Sequence, residues 1–272
     1  MLGNILTGWC DRSLNILPAP QKIVMGEGTF VVKKGLAIVS TDANDFSANF
    51  LQDKLEEVFD FPITLTRQSV NEGFIRFETD KSLSEEGYRL DVTAKGITIV
   101  SATPAGKYYG VQTLLQLFPS EVYSGEHLRL KEYPMEVVTV EDAPRFGYRG
   151  FMLDVSRTFF ELDYLKRYID WMSFHKLNKL HLHLTDDNGW RIEIKKYPEL
   201  TRKGAWRGKN ELIPPTYLSG SERYGGYYTQ KEMKELITYA QQRNVMIIPE
   251  FDLPGHALSS TAVFGNVTCG TH

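Results

Sequence analysis

The sequence of 272 residues has little of several features that would assign a protein to a class. It has only two cysteines, Cys10 and Cys269, which excludes a disulfide framework and a cysteine-based metal site. No apolar run approaches the roughly 18 residues of a membrane-spanning helix. No basic run exceeds two residues and the formal net charge is -3, so neither nucleic-acid binding nor electrostatic attachment to a membrane is supported.

What is present is an ordinary globular composition. Hydrophobic residues make up 42% and charged residues 24% of the chain. The length suits one large domain or two smaller ones. Residues 1–13 are interpreted as a tail, because a secretory leader would have a basic start and a longer apolar core.

Residues 14–143 predict an N-terminal α+β domain. Two helices are predicted, at 43–58 and 104–117, the second with a proline in its first turn. Glycine, Asp, Asn and Lys separate short β-rich runs. These runs are 30–32, 36–40, 63–66, 74–78, 88–92 and 97–101. No cluster of polar residues that could carry out catalysis is evident in this segment. We therefore interpret the domain as a sheet covered by two helices, without an active site of its own.

The pattern changes in residues 144–272. Strands are predicted at 150–155, 179–184 and 245–249, and helices at 164–176 and from a capping box at Thr229 and Glu232 to 243. A long loop rich in Gly, Tyr and Pro is predicted between the second strand and about residue 228. Strands that alternate with helices predict a parallel sheet with right-handed crossovers. An eightfold (β/α)8 TIM barrel takes about 250 residues. We therefore expect a partial α/β barrel, its first three to four units.

The segment 181–190, HLHLTDDNGW, suggests where chemistry lies. His181 and His183 alternate with leucines, as in a strand with one apolar face, and the strand then ends in Asp186 and Asp187. Catalytic groups of α/β barrels lie just past the carboxyl ends of the strands. An isolated Asp-Asp pair would more often be a solvated turn, but its neighbours favour a site.

Three predicted strand ends carry charged side chains that should converge. They are Arg157 after the first strand, His183, Asp186 and Asp187 after the second, and Glu250, Asp252 and His256 after the third. A guanidinium fork can bind adjacent hydroxyls, and a carboxylate can orient an imidazole. These residues predict a carboxylate-driven hydrolase of a polyhydroxylated ligand.

A metal-dependent hydrolase is the alternative. His181, His183, Asp186 and His256 offer imidazole and carboxylate ligands that suit Zn²⁺. However, His181 lies five residues before Asp186, well down the strand. A hydrogen-bonded structural role for His181 is therefore favoured.

Three ordered segments of the chain resemble glycoside hydrolase family 20, the β-N-acetylhexosaminidases. They are YRGFMLDVSR at 148–157, residues 179–191 and PEFDLPGH at 249–256. Residues 14–140 also resemble the N-terminal α+β domain of that family, notably ITIVSATPAG at 97–106. The resemblance covers nearly the whole chain in the right order.

The resemblance implies roles for single residues. Arg157 would bind the 3- and 4-hydroxyls of a terminal sugar, which implies exo action, the removal of sugars from the end of a glycan. Asp186 would pair with His256, and His256 would hydrogen-bond the catalytic acid. The loops around the site would be shaped by Asp187, Trp190, Glu250 and Asp252. The family implies no metal and no cofactor.

The family's mechanism is substrate-assisted and retaining, with the acid in an adjacent Asp-Glu pair later in the chain. No Asp-Glu dipeptide occurs in these 272 residues. The chain is therefore expected to be an N-terminal fragment, truncated within the catalytic barrel and inactive alone. The implied partner is a glycan with terminal N-acetylglucosamine or N-acetylgalactosamine, which favours an extracytoplasmic location. A non-catalytic sugar-binding protein that kept Arg157 is the alternative.

Overall fold

The computed structural model describes residues 14–124, 126–216, 219–265 and 267. The predicted tail, residues 1–13, lies outside them. The chain divides into two compact units, of which the first ends at Pro144 and the second begins at Arg145. In the described part of the chain, no helix has both the length and the apolar composition needed to cross a membrane.

The first unit is built on a seven-stranded mixed sheet. Its elements are β1 (Lys22–Lys33), β2 (Ala37–Val39), α1 (Phe46–Val58), β3 (Thr64–Thr66), β4 (Phe74–Thr79), β5 (Tyr88–Thr93), β6 (Gly96–Ser101), α2 (Pro104–Leu115) and β7 (Glu132–Asp142). The strand order is β1-β7-β5-β6-β4-β2-β3. The β1, β7, β5 and β6 strands pair antiparallel, whereas β6, β4, β2 and β3 pair parallel.

Both predicted helices of this unit are present, and local sequence explains where they begin. The carboxylate of Asp45 accepts hydrogen bonds from the first turn of α1, and Thr103 caps α2 in the same way. Leu51 and Leu55 of α1 pack in one buried core with the sheet, as does Leu114 of α2. The predicted α+β arrangement is confirmed.

The second unit contains the start of a parallel barrel. Its elements are β8 (Gly150–Asp154), α3 (Leu162–Phe174), β9 (Lys179–His183), β10 (Thr185–Asp186), β11 (Gly189–Trp190), α4 (Glu199–Arg202), β12 (Trp206–Arg207), β13 (Tyr224–Gly225), α5 (Gln230–Gln242), β14 (Met246–Glu250) and α6 (Leu258–Thr261). The strands β8, β9 and β14 form one parallel sheet in that order. The predicted α/β architecture, with three barrel strands and two crossover helices, is confirmed.

The core of the second unit lies between these strands and helices. Leu180 and Leu182 of β9 are fully buried, and they pack in one cluster with Leu165 of α3 and Leu236 of α5. The capping box that opens α5 has both of its reciprocal hydrogen bonds, from Thr229 and Glu232.

Two parts of the fold differ from the sequence-based prediction. Strand β7 was not predicted, because Pro134 and four acidic residues break up its apolar pattern. The segment between β9 and α5 was predicted as one long loop. It contains two short ribbons, β10–β11 and β12–β13, whose two-residue ladders are too short to produce a periodic pattern.

Candidate active site

A row of three polar residues crosses the barrel strands at their carboxyl ends. Asp154 of β8 is in register with His183 of β9, and His183 is in register with Glu250 of β14. Residues side by side in a sheet share one face. The opposite face of β9 is apolar, since Leu180 and Leu182 are each 0% exposed. Alternation along β9 therefore places the His183 imidazole on the same face of the sheet as the carboxylates of Asp154 and Glu250.

Glu250 joins the two histidines of β9. Its Oε2 lies 2.6 Å from His181 Nε2 and 2.8 Å from His183 Nδ1. Burial alone would raise the pKa of Glu250, but the hydrogen bonds and charges of His183 and His181 outweigh it and lower that pKa. His181 is therefore engaged with Glu250, in the hydrogen-bonded role that the sequence favoured.

Asp186 is the most buried acid of the group, with its side chain 1% exposed. Its Oδ2 lies 2.7 Å from both Arg157 Nη2 and His183 Nε2, and its Oδ1 accepts the backbone N–H of Asp187 at 2.6 Å. Arg157 also binds Asp154 Oδ2 through Nη1 at 2.7 Å. Two carboxylates thus orient the guanidinium of Arg157, whose side chain remains 33% exposed.

His256 lies beside this cluster but is bound to another acid. Its Nδ1 is 2.7 Å from Asp252 Oδ2 and 4.0 Å from Asp186 Oδ2. The pairing of Asp186 with His256 that the resemblance implied is therefore not a direct hydrogen bond here. The Oδ2 of Asp186 is already in contact with Arg157 Nη2 and His183 Nε2. The hydrogen bond to Asp252, with the nearby charge of Asp186, raises the pKa of His256.

Asp187 and Trp190 connect the loops that carry the site. Asp187 Oδ1 accepts the backbone N–H of Leu258 at 3.0 Å, which ties the turn after β9 to the loop after β14. The Trp190 ring lies 5.9 Å from that of Phe251, and its Nε1 donates to Ile192 O at 2.8 Å. Both side chains therefore contact protein groups on adjoining loops.

Two buried arginines next to the site were not predicted from the sequence. Arg191 is 0% exposed and donates to the backbone carbonyls of five residues, at 2.6 to 3.2 Å. These are Val155, Ser156, Asn188, Ala205 and Gly226. Burial, together with the charge of Arg207, lowers the pKa of Arg191 to about 10.

Arg207 holds the loop of Arg157 directly. Its Nη1 donates to Arg157 O at 2.9 Å and to Asn188 O at 3.3 Å. Burial lowers the pKa of Arg207 as well. The sequence signal for Arg191 was available, because a charged residue between Trp190 and Ile192 interrupts an apolar stretch. Arg207 has no such signal, since its contacts lie far away along the chain.

A metal centre is not supported by this geometry. In the described part of the chain, ligand atoms of His183, Asp186 and Asp252 lie within 4.8 Å of one another. Yet both ring nitrogens of His183 face carboxylates at hydrogen-bond distance. A metal-bound imidazole needs a lone pair on one nitrogen. The alternative of a metal-dependent hydrolase is therefore not favoured.

The chain matches known proteins over nearly all of its length. Residues 146–272 match the family model described as "Glycosyl hydrolase family 20, catalytic domain", and residues 13–143 match "Glycosyl hydrolase family 20, domain 2". A β-hexosaminidase of Porphyromonas gingivalis is 38% identical over 265 residues, which cover 95% of this chain and 33% of that protein. A β-hexosaminidase of Vibrio furnissii is 37% identical and is matched over 38% of its length.

Solved structures agree with these relatives. An exo-β-N-acetylglucosaminidase from Vibrio harveyi, in complex with N-acetylglucosamine, is 37% identical with a TM-score of 0.81; the match covers 93% of this chain and 38% of that one. A mutant β-hexosaminidase of Streptomyces plicatus, in complex with the product N-acetylglucosamine, is 36% identical with a TM-score of 0.83, over 93% of this chain and 49% of that one. This chain thus spans about a third to a half of the proteins it matches. It belongs to glycosyl hydrolase family 20.

Proposed function

We propose that this chain supplies the N-terminal domain and the first part of the catalytic barrel of an exo-β-N-acetylhexosaminidase. The substrate is a glycan that ends in β-linked N-acetylglucosamine or N-acetylgalactosamine. One observation carries the proposal: in a family 20 chain, Arg157 binds Asp186, and His256 lies 4.0 Å from the same carboxylate. The three side chains come from loops that follow three adjacent parallel strands.

Arg157 binds the 3- and 4-hydroxyls of the terminal sugar in this proposal. Its guanidinium is planar, so it can donate to two adjacent oxygens at once. The ion pairs with Asp154 and Asp186 hold it in one orientation before substrate arrives. Such preorganisation removes an entropy cost from binding. A glycan that continues beyond the 4-hydroxyl would collide with Arg157 and the carboxylates that hold it. Cleavage is therefore restricted to the terminal sugar, which is exo action.

The chemistry we propose is substrate-assisted. The acetamido oxygen of the sugar attacks the anomeric carbon while an acid donates its proton to the departing glycosidic oxygen. An oxazolinium ion forms, and water then opens it with net retention. An internal nucleophile of this kind gains an effective molarity on the order of 10⁵ M or more. Asp186 and His256 support the acid, which an adjacent Asp-Glu pair outside these 272 residues would provide.

Hydrolysis of 4-nitrophenyl glycosides by the intact protein that carries this sequence tests the proposal. The β-N-acetylglucosaminide or the β-N-acetylgalactosaminide should be cleaved, and the β-glucoside should not, because it has no acetamido group. Residues 1–272 alone should show no turnover above background. Comparable cleavage of the glucoside, or turnover by residues 1–272, would contradict the proposal.

The alternative of a non-catalytic sugar-binding protein is not favoured, because the relatives of this chain are named β-hexosaminidases. Sequencing the gene beyond codon 272 separates the two. A reading frame that continues to an adjacent Asp-Glu pair supports the hydrolase, and a stop codon supports the sugar-binding protein.

We also propose that the protein acts outside the cytoplasm, where such glycans occur. Cell fractionation with an antibody to the chain would test the location, and recovery in the cytoplasmic fraction alone would contradict it.

A further inference from the structure

The ring of His183 sits between two acids. Its side chain is 6% exposed, with Nε2 at 2.7 Å from Asp186 Oδ2 and Nδ1 at 2.8 Å from Glu250 Oε2. A neutral imidazole has one N–H donor and one lone pair, whereas an ionised carboxylate only accepts. Two close carboxylates can therefore both be satisfied only if each ring nitrogen carries a proton. With both carboxylates ionised, this geometry requires an imidazolium.

The charges around the ring favour the same state. Asp154 is next to His183 in the sheet, and its carboxylate is bound by Arg157. Asp252 offers an oxygen within 4.8 Å of ligand atoms of His183 and Asp186. His181 shares Glu250 Oε2, and His256 Nδ1 lies 4.0 Å from Asp186 Oδ2.

Acids thus outnumber permanent cations around His183. Burial lowers the pKa of His183, but the hydrogen bonds to Asp186 and Glu250 outweigh it, so the net pKa is raised.

We propose that His183 is a positioning residue that stays protonated at neutral pH and fixes Asp186 and Glu250. Its effect on catalysis rests on the proposed function, whereas its charge state does not. If His183 loses its proton, one ring nitrogen turns a lone pair toward a carboxylate. The repulsion would displace Asp186, which orients Arg157 and lies beside His256.

The charge state is measured by long-range ¹H–¹⁵N correlation spectra of the protein labelled with ¹⁵N-histidine. The sequence has six histidines, and the signals that disappear in His183→Gln identify this ring. At pH 7.5 both nitrogens should be protonated. Glu250→Gln, which keeps the shape but removes a charge, should lower the midpoint of deprotonation by about one pH unit.

Glu193→Gln is the matched control, because Glu193 bonds to the backbone of Gln230 instead. It should leave the His183 midpoint unchanged. An unprotonated His183 nitrogen at pH 7.5 in the wild type would overturn the proposal, as would an unchanged midpoint in Glu250→Gln. Because the charge is read from the wild-type spectrum, that result stands even if Glu250→Gln fails to fold.

The positioning role is tested by the pH dependence of kcat/KM of the intact protein. The rate should fall as pH rises through the His183 midpoint, and Glu250→Gln should move that fall to lower pH by the shift seen in the spectra. A purely structural role would lower the rate at every pH without moving the profile, and that result would overturn the proposal. If no N-acetylhexosaminide is hydrolysed, the proposed function and the positioning role fail together, while the spectra still decide the charge state.

Discussion

Replacing Arg191 by methionine tests whether a buried guanidinium organises the site. Methionine has a similar length and no charge, so the substitution removes hydrogen bonds and leaves much of the packing. Arg191 holds the two residues that precede Arg157, because two of its acceptors are the carbonyls of Val155 and Ser156.

The expected loss of stability is about 3 kcal/mol. Burial and the charge of Arg207 lower the pKa of Arg191 from 12.5 to about 10, so removing the charge recovers roughly 3 kcal/mol. The carbonyls of Ala205 and Asn188 keep other donors, in the backbone N–H of Gly226 and in Arg207. The carbonyls of Val155, Ser156 and Gly226 lose the donor that Arg191 supplies. At about 1–3 kcal/mol for each buried unsatisfied group, this costs ~6 kcal/mol.

Urea unfolding followed by tryptophan fluorescence measures the effect. Trp171, Trp190 and Trp206 all lie in the second unit. Arg202→Met is the control, because its side chain is 71% exposed and its ion pair with Glu199 is worth at most about 1 kcal/mol. A variant of Arg191 that unfolds at the wild-type urea concentration, or above it, would refute the reasoning. It would mean that the free-energy cost of burying the Arg191 charge is at least as large as the stabilisation from its hydrogen bonds.

Three further outcomes are expected. Gly189→Ala should lose about 2 kcal/mol in urea unfolding, because its Cβ would lie 2.2 Å from Arg191 Cζ, whereas Gly147→Ala meets nothing within 4 Å; equal stabilities would contradict this. Thr229→Ala should lose about 1 kcal/mol with the cap of α5, measured by circular dichroism, and an unchanged stability would count against the capping box. The pKa of His256, followed by NMR titration, should lie above 6.5 and fall in Asp252→Asn; the opposite shift would argue against the hydrogen bond.

The architecture of the second unit was predictable because its main helices and strands are specified by their own local sequence. The buried leucines of β9, the capping box of α5 and the amphipathic α3 each leave a pattern a few residues long. Strand β7 was missed for the converse reason. It becomes a strand by pairing with β1 and β5, and its own residues carry a proline and several acids.

The clustering of the candidate site residues was predictable from the sequence, but their individual contacts were not. Sequence placed Arg157, Asp186 and His256 at three strand ends, where the structure also has them. The hydrogen bond of His256 to Asp252, rather than to Asp186, depends on competition for one oxygen. Likewise, the many acceptors of Arg191 are backbone carbonyls, and no side-chain pattern records where they converge.

The most direct test of the account is a cycle that pairs Arg157→Ala with loss of the sugar's 4-hydroxyl. The intact protein is assayed on 4-nitrophenyl N-acetyl-β-glucosaminide and on its 4-deoxy analogue. With Arg157 present, removing the hydroxyl should lower kcat/KM by about 10- to 100-fold, as for a hydrogen bond to a charged group. With Arg157→Ala, removing it should change nothing further. If the two losses simply add, Arg157 does not bind that hydroxyl, and the sugar site is not where this account places it.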